Sequence, residues 1–214
     1  LKAAKNSGIP ESVFQILHLD HASTSKIISD HRINHVLFTG SVSGGREVKK
    51  AIGTRFIGAG LELGGKDPSY VRSDCNFEHA IENLVDGSYF NSGQSCCGIE
   101  RIYVDESIFA NFVDAFKAQT EKYTLDNPLN DSTNLGPVVK LSAANNIRNQ
   151  VAKAINEGAK NIIDGSKFKK DNSENCYVSP SALINVNHKM EFMMEETFGP
   201  TVGIMKVKNE KDAE

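Results

Sequence analysis

Cysteine is scarce in this 214-residue sequence, which contains only Cys75, Cys96, Cys97 and Cys176. Four cysteines are too few for a disulfide scaffold, and their spacing matches no zinc-binding pattern. We therefore expect reduced thiols and a cytosolic protein.

Long apolar runs and a strong excess of one charge are also missing. No uninterrupted apolar stretch approaches the roughly 18 residues that would indicate a membrane-spanning helix. The formal net charge is -3, which gives no reason to expect binding to nucleic acid or to anionic lipid. The six histidines are scattered and form no HExxH-type pattern, so no metal site is expected.

Apolar residues recur at helical spacing in three segments, at residues 77–90, 107–119 and 141–155. Stripes of this kind are typical of a helix face that packs into a core. The stripe residues are Ala80, Ile81, Leu84, Val85, Tyr89, Ile108, Phe109, Phe112, Val113, Phe116, Leu141, Ala144, Ile147, Val151 and Ile155.

Short apolar runs alternate with these helices and with a further predicted helix at 46–53, and they indicate strands. The candidate strands are residues 35–41, 55–66, 68–71, 99–104, 160–164, 177–186 and 199–207. Strands that alternate with helices predict an α/β fold with a mainly parallel sheet.

Both ends of the sequence suggest a longer chain. Residue 1 is leucine, and residues 1–10 read as the last turns of a helix stopped by Gly8 and Pro10. At the other end, residues 205–214 stop where another helix could begin. We expect the sequence to be an excerpt.

The stretch FTGSVSGG, residues 38–45, joins a predicted strand to a predicted helix. Such a junction gathers backbone N–H groups at a helix N-terminus, which attracts phosphate. The spacing from Gly40 to Gly45 does not match the GxGxxG fingerprint. Without other information, such a stretch is more often an ordinary strand–turn–helix junction than a phosphate-binding site.

In LELGGK, Glu62 stands among apolar residues directly before two glycines. A partly desolvated carboxylate has a raised pKa, which suits a general base. The alternative is a carboxylate at a strand end that pairs with Lys66. The residues alone leave both open.

In SGQSCCGIE, Cys96 and Cys97 are adjacent, a placement that rarely gives a good disulfide. Either both thiols pack in the core, or one of them reacts as a thiolate near exposed backbone amides. In EETFGP, Glu196 and Phe198 form either a solvated helix end or a site that binds sugar hydroxyls and stacks on a ring.

In this order and at this spacing, the four motifs resemble those of the NAD(P)-dependent aldehyde dehydrogenase superfamily, over essentially the whole chain. Glu62 precedes Cys96 by 34 positions, which fits the family's general base and nucleophile. The family nucleophile lies two residues after the Gln of this motif, here Gln94, which points to Cys96 with Cys97 as its neighbour.

The resemblance implies oxidation of an aldehyde to a carboxylic acid, with NAD as cofactor and NADP as an alternative. It places Gly40, Ser41 and Gly45 around the pyrophosphate, and Leu63 among the cofactor contacts. It also places Glu196 on the nicotinamide ribose and Phe198 beside the nicotinamide.

The resemblance further implies that residues 1–61 end a Rossmann-type dinucleotide-binding domain and that residues 62–214 form most of an α/β catalytic domain. Family members are considerably longer. Their upstream oxyanion-holding Asn and ribose-binding Lys, and their oligomerisation strand, have no counterpart in this sequence. The expected whole protein is a homodimer or homotetramer, and the excerpt by itself is expected to be inactive.

Two alternatives come from other functional classes. One is a non-catalytic interaction protein that keeps the fold without the chemistry. The other is a cysteine hydrolase without a redox step, which needs a histidine near the thiol. The histidine nearest to Cys96 in sequence is His79, within a predicted helix.

Overall fold

The computed structural model describes residues 2–10 and 12–214. The chain forms two compact units, Leu1–Leu63 and Gly64–Glu214. None of the described helices is both long enough and apolar enough to cross a membrane.

The first unit is built around a strand–helix–strand motif. Its elements are α1 (Lys2–Asn6), α2 (His21–Ser29), β1 (His35–Gly40), α3 (Val42–Ile52) and β2 (Gly58–Leu63). Strands β1 and β2 are parallel, and Gly40 at the end of β1 is paired with Leu63 at the end of β2. The two strand ends therefore lie side by side, next to the start of α3.

Helix α3 begins earlier than the sequence pattern predicts, because Ser41 caps it. The Ser41 hydroxyl accepts a hydrogen bond from the Gly44 backbone N–H at 3.1 Å, so Gly44 and Gly45 belong to the first turn. The helix ends as expected at Gly53, whose φ of 63° is left-handed. Helix α2, for which the sequence pattern gave no prediction, begins at His21 because the Asp20 side chain caps it.

The second unit contains a five-stranded sheet in the order β3-β4-β7-β6-β5. Its elements are β3 (Asp67–Val71), α4 (Phe77–Tyr89), β4 (Ile99–Asp105), α5 (Phe109–Thr120), α6 (Leu141–Asn156), β5 (Lys160–Asn161), β6 (Ser181–Ile184), α7 (Glu191–Met194), β7 (Thr201–Val207) and α8 (Glu210–Ala213). All neighbouring strands are parallel except β5 and β6. The mainly parallel sheet expected from the sequence is present.

Two predicted strands are much shorter in the structure. The strand expected at residues 160–164 stops after Asn161, because the Asn161 side chain accepts the Ile163 N–H at 3.1 Å and ends the ladder. The strand expected at 177–186 is reduced to Ser181–Ile184. Pro180, directly before it, has no N–H to donate to a neighbouring strand.

The helix stripes form the core, with two exceptions. Phe112 and Phe116 of α5 are completely buried, and Val85 and Tyr89 of α4 pack into the same cluster. The exceptions, Leu141 and Ile155, are exposed. The buried face of α6 is centred on Ala144, Ile147 and Ala154, and a helical projection places both exceptions at one edge of that face.

Candidate active site

The two adjacent cysteines follow a sharply turned segment between α4 and β4. Asn91, Ser92 and Gly93 have φ values of 51°, 56° and 70°. Left-handed backbone is unfavourable for residues other than glycine, so two consecutive non-glycine residues there must be held by their surroundings. The turn ends α4 and directs the chain toward the start of β4.

Side-chain hydrogen bonds hold this turn in place. The Gln94 amide donates to the Asn91 carbonyl at 3.1 Å and accepts the Val139 N–H at 2.8 Å. The Ser92 hydroxyl donates to the Gly136 carbonyl at 2.9 Å. The turn is therefore fixed both to itself and to residues 136–139.

Cys96 and Cys97 are both exposed free thiols. This exposure contradicts the alternative in which both cysteines are core packing residues. The Cys97 sulfur lies 3.3 Å from the Ser95 hydroxyl oxygen, which gives Cys97 a local hydrogen-bond partner. An ideal Cβ built on Gly65 would lie 3.6 Å from the Cys96 carbonyl oxygen, so the backbone passes close to Cys96.

Glu196 lies directly over Gly64. An ideal Cβ on Gly64 would lie 2.0 Å from Glu196 Oε2, so the carboxylate occupies the space that any side chain there would need. Burial raises the pKa of Glu196, the Glu100 carboxylate raises it further, and a hydrogen bond from the Gly65 backbone opposes both effects. Two residues later, Phe198 is 40% exposed and has a left-handed φ of 52°.

A buried ion pair lies beneath the loop that contains Glu196 and Phe198. The sequence pattern did not predict this ion pair. The Lys66 ammonium contacts the Glu100 carboxylate at 2.5 Å, with both side chains at most 6% exposed. The alternative in which Glu62 pairs with Lys66 is therefore wrong, because the partner of Lys66 is Glu100. A signal was available: Glu100 is a charged residue within a predicted strand, and it occupies a buried position on β4, where a charge needs a partner.

The remaining predicted residues lie in the first unit. Gly45 is buried, and an ideal Cβ there would lie 2.8 Å from Leu63 Cδ2, so Gly45 and Leu63 are in close contact. Gly40 ends β1, and Ser41 caps α3. The structure thus brings Gly40, Ser41, Gly45 and Leu63 together at one end of the strand–helix–strand motif.

Glu62 is on β2, opposite Thr39 of β1, and its side chain is exposed. The partial desolvation expected from its apolar neighbours is not present within this unit. Side chains alternate along a strand, so Glu62 points away from the face used by Leu61 and Leu63.

His79 does not give the thiol a histidine partner. It lies in the first turn of α4, and its Nδ1 is 3.2 Å from the Asn83 side-chain nitrogen. The cysteines follow the opposite end of the same helix, about 15 Å further along its axis. This placement argues against the cysteine hydrolase alternative.

Known proteins of one family match this sequence over nearly the whole chain. The sequence profile of the aldehyde dehydrogenase family matches residues 1–213. Succinate semialdehyde dehydrogenase [NAD(P)+] Sad of Escherichia coli is 32% identical over 98% of this chain and 45% of its own length. Mouse cytosolic aldehyde dehydrogenase 1 is 35% identical over 97% of this chain and 41% of its own length.

Solved structures match equally well. Betaine aldehyde dehydrogenase from Staphylococcus aureus, in complex with NAD+, has a TM-score of 0.90 at 28% identity, over 99% of this chain and 42% of its own. NADP-dependent glyceraldehyde-3-phosphate dehydrogenase from Bacillus halodurans, complexed with NADP, has a TM-score of 0.89 at 27% identity, over 99% and 43%. The predicted α/β fold is confirmed, and the chain spans less than half the length of these relatives.

Proposed function

The chain belongs to the aldehyde dehydrogenase family, and we propose that the full-length protein oxidises an aldehyde to a carboxylic acid with NAD+ or NADP+. The observation that carries this proposal is the exposed Cys96 thiol on a rigid turn, within a family match over residues 1–213. The expected homodimer or homotetramer and the cytosolic location belong to the same proposal.

The residues of the second unit fit the nicotinamide end of the cofactor. Glu196 presents a half-buried carboxylate that can accept hydrogen bonds from ribose hydroxyls, and Gly64 leaves room for it. Phe198 offers an exposed ring beside it, suited to a flat partner. In the first unit, Gly40, Ser41, Gly45 and Leu63 would lie along the pyrophosphate side, at the N-terminus of α3.

Cys96 carries the covalent chemistry in this proposal. Its thiolate attacks the aldehyde carbon and forms a C–S bond, and the carbonyl oxygen becomes an oxyanion. The Cys96 backbone N–H is one donor for that oxyanion, and such a donor contributes roughly 3 kcal/mol. A bound oxidised nicotinamide would supply the hydride acceptor for this carbon, and loss of hydride would leave a thioester on Cys96.

Glu62 completes the cycle. Its carboxylate takes a proton from a water molecule, the hydroxide adds to the thioester carbon, and the C–S bond breaks. The products are the carboxylic acid and a free Cys96 thiolate. Relatives that pass the acyl group to coenzyme A have less use for a carboxylate at this position, so Glu62 favours an acid product.

Absorbance of reduced nicotinamide after addition of an aldehyde to the full-length protein tests this function. The proposal expects the absorbance to rise in proportion to the acid formed. A cysteine hydrolase would cleave activated esters but leave this signal flat, and a non-catalytic interaction protein would do neither. Either of those results would remove the proposed function.

Replacement of Glu62 by glutamine is expected to separate the two halves of the reaction. The first turnover gives a burst of reduced cofactor, because thioester formation does not need the base. Steady turnover then falls by about 100-fold, because general-base catalysis is lost. Stopped-flow absorbance records both phases. Glu47, an exposed carboxylate on α3, provides the matched control as Glu47→Gln, and unchanged steady turnover in Glu62→Gln would remove Glu62 from this role.

Replacement of Gly64 by alanine is expected to displace Glu196 while leaving the fold intact. The new methyl group would overlap the Glu196 carboxylate, which is the mobile end of a side chain and can move away. Loss of hydrogen bonds to a charged group then raises the KM for cofactor by about tenfold or more. Gly165→Ala, which adds a methyl group in open space, is the control. An unchanged KM would show that Glu196 does not bind the cofactor from this position.

A further inference from the structure

Glu100 is the centre of a buried polar network in the second unit. Its carboxylate accepts the Lys66 ammonium at 2.5 Å, the Thr197 backbone N–H at 2.9 Å and the Phe198 backbone N–H at 2.9 Å. The Glu100 side chain is 5% exposed. A carboxylate this far from water needs hydrogen-bond donors to offset the lost hydration, and here three donor groups contact it.

The network also reaches one residue of helix α6 and one residue of helix α7. The Thr197 hydroxyl accepts from Lys66 at 3.1 Å and donates to the Gln150 side chain at 2.9 Å. The Lys66 ammonium also lies 4.8 Å from the centre of the Phe192 ring. Burial lowers the pKa of Lys66, and the Glu100 charge opposes that effect.

This network controls the backbone between Glu196 and Gly199. Phe198 has a left-handed φ of 52°, which an aromatic residue adopts only when other contacts impose it. Two of those contacts are the Thr197 and Phe198 N–H groups bound to one carboxylate. The direction of the Phe198 ring and the position of Glu196 therefore depend on Glu100.

Buried ion pairs contribute little net stability compared with apolar residues of the same volume, so stability alone does not account for this one. We propose that Lys66 and Glu100 are positioning residues: they hold residues 196–198 in the backbone geometry that presents Glu196 and Phe198 to the nicotinamide end of the cofactor. This inference rests on the proposed function for the identity of the ligand.

Glu100→Gln tests this role with almost no change in volume. One carboxylate oxygen becomes an NH2 group, and in either orientation that group faces at least one N–H donor of Lys66, Thr197 or Phe198. The loop must then shift to relieve the contact between donors. We expect the Kd of NAD+, measured by calorimetry on the full-length protein, to rise by about tenfold.

Two further measurements separate positioning from a general loss of structure. Hydrolysis of an activated ester without cofactor uses Cys96 and Glu62 but not the loop, and it should change by less than about twofold, far below the shift in cofactor Kd. Hydrogen exchange at Thr197 and Phe198 should become faster, because both N–H groups lose their charged acceptor. The exchange result does not depend on any activity, so it distinguishes failure of this inference from failure of the proposed function.

Asp171→Asn is the matched control, because Asp171 makes a half-buried ion pair with Arg148 at 2.8 Å elsewhere in the same unit. It should change thermal stability without changing cofactor Kd. The double variant Lys66→Met/Glu100→Gln covers the case in which Glu100→Gln folds poorly, since it leaves no unpaired ammonium. That double variant should fold and still bind NAD+ about tenfold more weakly.

The inference is overturned by an unchanged cofactor Kd in Glu100→Gln, or by an equal loss of ester hydrolysis and cofactor binding. It is also overturned if the double variant restores normal cofactor binding. Weaker cofactor binding with retained ester hydrolysis and faster exchange at residues 197 and 198 supports it.

Discussion

Replacement of Cys96 by alanine is expected to lower aldehyde oxidation by about 10⁴-fold or more, because it removes the sulfur that we propose forms the covalent intermediate. Replacement of Cys97 by alanine should leave most of the activity. The two thiols are adjacent and both exposed, so they differ in position rather than in burial. Cys97 has the Ser95 hydroxyl 3.3 Å from its sulfur, whereas Cys96 lies where the family motif places the nucleophile.

The two cysteine variants control for each other. Both side chains are exposed, so neither replacement opens a cavity in the core, and both proteins should melt at the temperature of the wild type. Steady-state rates with one aldehyde and NAD+ make the comparison. A large loss with Cys97→Ala and a small one with Cys96→Ala would assign the nucleophile to the other sulfur.

Replacement of Gly93 by alanine is expected to destabilise the protein by at least about 3 kcal/mol, since strain and overlap add. Gly93 has a φ of 70°, which is unfavourable for alanine. Its ideal Cβ would also lie 2.0 Å from the Gly199 carbonyl oxygen and 2.8 Å from the Pro200 nitrogen. These are backbone atoms, so two chain segments must move apart, and one of them carries the loop of Glu196 and Phe198.

Substitutions at two other glycines separate the cost of backbone strain from the cost of steric overlap. Gly158 has a φ of 109° but open space around its Cβ position, so Gly158→Ala measures backbone strain alone. Gly165→Ala introduces neither strain nor overlap. Melting temperatures of the full-length variants should fall in the order Gly165→Ala, Gly158→Ala, Gly93→Ala, with the last lowest. Equal melting temperatures for the Gly93 and Gly158 variants would show that the Gly93–Gly199 contact is not tight.

In the second unit, the elements marked by a wide apolar stripe or by a short apolar run were predicted well. Helices α4, α5 and α6 and strands β4 and β7 were found in this way, because the periodicity of a buried face is recorded in the residues themselves. Helix α2 was missed, since none of its residues is buried and its start depends on one side-chain cap. Strand β5 was overextended, because the Asn161 side chain replaces a backbone partner.

The candidate site was predictable only in part for a similar reason. The motifs gave Cys96, Glu196 and Phe198 as candidate site residues, but the residues that contact and position them come from distant parts of the chain. Glu100 and Thr197 are 97 positions apart and in direct contact. No local pattern reveals such a contact, and the only local clue was a charged residue at a buried strand position.

The most direct test of the central claim is to find the acyl group on Cys96. Full-length Glu62→Gln protein mixed with aldehyde and NAD+ should accumulate the thioester, and acid quenching followed by tandem mass spectrometry locates the added mass. We predict the mass of the acyl group on Cys96, and the same result in a protein that also carries Cys97→Ala. An acyl group on Cys97, or no acylated cysteine while reduced cofactor is formed, would contradict the account.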